Sequence, residues 1–170
     1  MKRIIRLGTV NILMFASLSC TYHLSPRELD IQKSPVSSLK NIKPVSVRAK
    51  LVGSKEKVLP LAGTNVSVNE DEFTDVLVER LIDALRDNNI PVVPASDRSI
   101  ELQVVDVSLQ PDRTIYCVID FNRKLGKGDF YGFQSRSKDR NFKTACEDAL
   151  KNTITDILND ADTIKYLKEE

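Results

Sequence analysis

Tryptophan is absent from this 170-residue chain, histidine occurs once, cysteine three times and glycine six times. The single histidine, His23, falls in a segment rich in proline and serine, away from any rigid site that would set it beside a nucleophile. Ser/His and Cys/His catalysis is therefore not expected. The cysteines stand at positions 20, 117 and 146 with no C-x-x-C pair, which excludes the usual zinc spacings and leaves no metal site to propose. No cofactor motif is present either. The Gly126–Asp129 stretch, GKGD, lacks the spacing and the following Ser or Thr of a phosphate loop and suits a hairpin turn. Nothing after Cys20 is long and apolar enough to span a bilayer as a helix.

Excess positive charge is also missing. Of the 25 Lys and Arg residues, Lys2, Arg3 and Arg6 precede Cys20, whereas none of the 24 Asp and Glu residues does. The chain from Cys20 onwards thus carries a net charge of −2 with His neutral, which argues against nucleic acid as a partner. The early cations have their own meaning. They form the basic zone of an export signal, followed by an apolar stretch from Leu7 to Leu18 and small residues at Ser17 and Ser19. Residues 1–19 read as a signal peptide removed before Cys20. A cysteine directly after the cut is what bacterial lipoprotein processing requires, because its sulfur carries the lipid. The usual leucine three places before the cysteine is replaced by Ser17, so an unmodified Cys20 after ordinary secretory cleavage is the competing reading. Residues 20–44, with three prolines and several serines, read as a flexible tether. Thr21, rather than Asp, resembles the sorting signal for the outer membrane of Gram-negative bacteria.

The remaining residues, 45–170, suffice for one domain. Val45, Val47, Ala49 and Leu51 alternate as one face of a strand, and a short strand is expected near Val58–Leu61. The stretch 70–87 is an amphipathic helix. Asn69 with Glu72 forms a capping signature, Phe73, Val76, Leu77, Leu81, Ala84 and Leu85 share a face, and Asn88 or Asn89 before Pro91 ends it. Strands follow at IPVVP, at 99–109 with a bulge near Val105, at RTIYCVIDFN (113–122) with Ile115, Cys117, Ile119 and Phe121 inward, and at 129–137. A second helix carries Phe142, Ala145, Cys146, Ala149, Leu150, Ile154, Ile157 and Leu158 on one stripe, with a short helix near 163–167 after it. The order β-α-β-β-β-β-α predicts an α+β two-layer sandwich, two amphipathic helices on one face of a mostly antiparallel sheet. Val66, Val68, Tyr116, Val118, Phe130 and Tyr131 are left over as candidates for a second layer or an interaction surface.

Carboxylates are plentiful, but Glu70, Asp71, Glu72, Asp75 and Glu79 are accounted for by a helix N-terminus and a solvated face, so no catalytic residue is assigned. Cys117 lies on the inward face of a strand and Cys146 on the stripe of the helix expected to cover it. An exported location permits a disulfide, and two buried thiols are the alternative.

The stretches ERLIDALRDNNIPVV, SIELQVVDVSL and FKTACEDALKNTITDILNDADTIKYLKEE, together with the exported Cys20, resemble the YajG-like outer-membrane lipoproteins over residues 70–170. That resemblance implies a lipid-anchored, periplasm-facing domain with no enzymatic role. The leading expectation is a membrane attachment through Cys20 and an envelope protein as partner. A narrower version resembles the lipoprotein that assists lipopolysaccharide assembly. The alternative is a binding module for a small apolar ligand or lipid, which requires an apolar pocket between sheet and helices.

Overall fold

The structure, a computed structural model, describes residues 20–28, 42–54, 56–61 and 63–168. The signal peptide expected at 1–19 lies outside them. In chain order the elements are β1 (Thr21–His23), a 3-10 turn (Pro26–Glu28), β2 (Ser46–Ala49), β3 (Lys57–Leu61), β4 (Thr64–Val68), α1 (Glu70–Asp87), β5 (Ser99–Pro111), β6 (Ile115–Leu125), β7 (Phe130–Asp139), α2 (Phe142–Asn159) and α3 (Ala161–Lys168).

Two sheets result. The larger has strand order β2-β5-β6-β7, an antiparallel meander with β2 added in parallel at one edge. The smaller has order β1-β4-β3, in which a β3–β4 hairpin accepts β1 in parallel. Packing α1 on β5 and β2, and α2 on β6 and β7, buries the apolar faces of both helices in one continuous core. This is an α+β sandwich with mostly antiparallel sheets.

Local chemistry explains the element ends. The Asn69 side chain accepts the backbone N–H groups of Asp71 and Glu72, satisfying two of the donors a helix start leaves free. At the other end Asn89 adopts φ 60°, the left-handed conformation that asparagine tolerates. Along β5 the inward residues are Ile100, Leu102 and Val104, then Val107 and Leu109, because the register shifts between Val104 and Asp106. The bulge leaves Val105 unpaired and 49% exposed, and moves the inward row from even to odd positions.

Several expectations are corrected. IPVVP forms only a single parallel bridge, Val92 to Val45, since Pro91 and Pro94 remove ladder donors on either side. Leu51 is 52% exposed instead of inward. The chain leaves β5 after the Lys50 N–H bonds Leu102 O, and the Asp71 carboxylate then draws in the N–H groups of Val52 and Ser54. Val66 and Val68 belong to the core, where they pack with Leu59 and Leu61 from the hairpin's other strand. The expected element order also omitted β1, β4 and the smaller sheet as a unit. Finally, the stretch 20–44 is not a tether throughout: residues 20–28 are docked on the domain, with Leu24 fully buried and its N–H bonded to Ser67 O at 2.9 Å. Residues 29–41 lie outside the described residues.

Candidate functional site around Cys20

Strand β1 begins directly after Cys20, so the candidate anchor point is held by the smaller sheet. Thr21, Tyr22 and His23 lie in register with Asn65, Val66 and Ser67. The Cys20 carbonyl accepts the Asn65 N–H and the Thr64 hydroxyl, both at 3.3 Å, while the residue itself is exposed with a free thiol. Tyr22 meets Phe142 edge to face with ring centroids 5.4 Å apart, and Lys143 Nζ lies 4.9 Å from the Tyr22 ring centre. These contacts tie β1 to the start of α2.

His23, expected in a free spacer, is instead the centre of a polar cluster. Its Nδ1 is 3.1 Å from Glu56 Oε1 and 3.2 Å from Ser67 Oγ, and its Nε2 is 3.3 Å from Glu72 Oε2. The Ser67 hydroxyl and the His23 ring together hold the Glu56 carboxyl below its ordinary range. A serine, a histidine and a carboxylate within hydrogen-bond reach invite a nucleophilic reading. Ser67 is 2% exposed on the middle strand of its sheet, however, and shares the same ring nitrogen with Glu56, so no acyl group can approach its oxygen. The cluster fastens β1 to the residue before β3, to β4 and to the first turn of α1.

Cys117 on β6 and Cys146 on α2 are joined in a disulfide with Cα atoms 5.1 Å apart, and both residues are fully buried. The bond ties the helix to the strand beneath it. A loop of this length contributes about 3.6 kcal/mol in the chain-entropy account.

Two depressions mark the surface of the described residues. An open cleft of about 750 Å³ lies beside β2, lined by Lys43, Arg48, Val93, Asp97 and Arg98 among others. Arg98 also has a structural role there: Nη1 donates to Leu167 O at 3.1 Å and the guanidinium lies 5.3 Å from the Tyr166 ring centre. On the outer face of the larger sheet a 200 Å³ hollow is bounded by Gln110, Tyr116, Val118, Gln134 and Arg136. Neither resembles an apolar pocket between sheet and helices. Among the remaining surface candidates Tyr131 is 61% exposed, whereas Val118 is buried by its polar neighbours on the outer face.

No helix among the described residues is long and apolar enough to cross a membrane. No family model matches the chain, and no curated protein does. Among solved structures, protein XCC0632 from Xanthomonas campestris, assigned to family DUF330, matches with a TM-score of 0.57 at 14% identity, over 87% of this chain and 96% of that one. A minor lipoprotein from Acinetobacter baumannii matches with a TM-score of 0.44 at 10% identity, over 69% of this chain and 90% of that one. At such identities the first likeness is one of fold, and the second is too loose to bear on what the chain does.

Proposed function

We propose that this chain is a non-enzymatic lipoprotein of the cell envelope, anchored through acyl chains on Cys20 and presenting its α+β domain to the periplasm from the outer membrane. The observation that carries the reading is the basic and apolar leader ending directly before Cys20, a residue that is exposed with a free thiol. The likeness of residues 70–170 to YajG-like lipoproteins supports it. So does the position of His23, whose ring binds surface carboxylates and a sealed serine hydroxyl rather than an accessible nucleophile. A protein of the envelope is the partner class this reading implies. A module for apolar ligands has less support, because the larger cleft presents Lys43, Arg48, Asp97 and Arg98.

The test is the intact mass of the protein isolated from its own envelope, alongside fractionation of a Cys20→Ser variant. A chain that starts at Cys20 and carries acyl groups, with the variant released into the soluble fraction, is the expected result. An unmodified chain, or a variant that stays with the membrane, overturns the anchor.

A further inference from the structure

No slack separates Cys20 from the folded domain. A flexible leash of 24 residues would let the domain wander by about 27 Å. Here the first residue after the cysteine already sits in a β-ladder, and the cysteine's own carbonyl is bonded to Thr64 and Asn65. The strand cannot swing away cheaply. Leu24 lies in the same core as Leu59, Leu61, Val66 and Val68, Tyr22 meets Phe142 edge to face, and His23 is held by Glu56 and Glu72. Lipid on the Cys20 sulfur must therefore bring the neighbouring β3–β4 turn to the depth of the headgroups.

We propose that the face formed by Cys20, Thr21 and the β3–β4 turn at Gly63–Thr64 rests directly on the phospholipid headgroups, so that the domain stands on the membrane in one fixed orientation. The inference builds on the acylation reading and adds the geometry. The residues at this face, Thr21, Gly63, Thr64 and Asn65, are uncharged and of modest size, which suits contact with headgroups rather than insertion among acyl chains. Tyr131 stands far from it. About 27 Å of strand separates it from Asp139, at the end of β7 that leads to Phe142 and Tyr22.

Because the chain has no tryptophan, one introduced residue gives an unmixed signal. The envelope-purified protein carrying Thr21→Trp, Thr64→Trp or Tyr131→Trp is reconstituted into phosphatidylcholine vesicles containing a headgroup nitroxide lipid. Thr64→Trp loses a hydroxyl bond to Cys20 but keeps the backbone bond beside it, and Thr21→Trp serves as the second reporter. Quenching at positions 21 and 64 should exceed that at 131 several-fold. Inserting roughly six Gly/Ser residues after Cys20 should bring the three towards equality. Equal quenching without the insertion, or no change on making it, overturns the fixed stance. Mass analysis of the same sample keeps the two readings apart. If the sulfur is unacylated, coupling its thiol to a maleimide-headgroup lipid still reads the geometry, since Cys20 is the cysteine left outside the disulfide.

Discussion

Arg123 is the most demanding single residue in the molecule. It is 2% exposed, its Nη1 donates to Asp160 Oδ2 and Thr163 Oγ1, and its guanidinium lies 4.7 Å from the Phe133 ring centre. Among the described residues its Nε is buried without a partner. Such a group is tolerable only while its counterion stays charged. Burial opposes ionisation of Asp160, but the Thr163 N–H and the Arg123 guanidinium outweigh it and hold the carboxyl below its ordinary value of 3.8. The stability this supplies is complete above that ordinary value and is lost as pH falls through the lower folded one. Asp160→Asn should therefore lower stability at neutral pH by about 3 kcal/mol and leave a flatter decline on acidification. Urea midpoints taken from about pH 6 to pH 2 measure both, and parallel declines for the two proteins would refute the assignment. The alternation of β6 through Ile115, Cys117, Ile119 and Phe121, continued by one step, places Arg123 inward. Sequence alone ends the inward row at Phe121, because a charged residue ordinarily faces solvent.

At the scale of elements, α1 and β5 are joined by one threonine. Thr74 Oγ1 donates to Glu70 O at 2.9 Å and accepts the Val104 N–H at 2.8 Å, next to the bulge where the ladder shifts register. The bulge was legible as a break in alternation at Val105, but its partner on the helix was not, since periodicity does not reveal which buried hydroxyl faces a strand. Thr153 offers a matched comparison. It is equally buried in α2, yet its hydroxyl donates to Ala149 O in its own helix. Thr74→Val should cost about 1–3 kcal/mol by stranding a buried N–H, whereas Thr153→Val should cost less than about 1 kcal/mol. Thermal or denaturant unfolding of the two variants decides it, and equal losses would mean that the Val104 amide finds another acceptor. Helix limits were the most readable feature, because Asn69 and Asn89 do their capping within a few residues of chain. The hairpin of β3 and β4 was harder to see, since Pro60 and Gly63 are loop signals when met singly and become edge-strand and turn residues only once the two strands are paired.

The molecule as a whole is organised by a segment that composition alone misassigns. Prolines and serines between Cys20 and Pro44 are those of a spacer, and nothing local distinguishes Tyr22 and Leu24 from scattered surface residues. Their role follows from distant partners: Val66 and Ser67 offer the open edge of a hairpin, Phe142 offers a ring, and the core offers a site that Leu24 fills completely. Contacts across more than forty positions of chain leave no period in the sequence. The docked segment makes a prediction that a tether would not share. Leu24→Ala should remove about 2–5 kcal/mol by emptying a sealed position in the core, against less than about 0.5 kcal/mol for the same change in a free linker. The measurement is the urea midpoint of the variant, with an unchanged slope confirming that the loss is of stability rather than of cooperativity. A midpoint equal to that of the parent chain would release β1 from the domain, and with it the fixed distance between Cys20 and the β3–β4 turn.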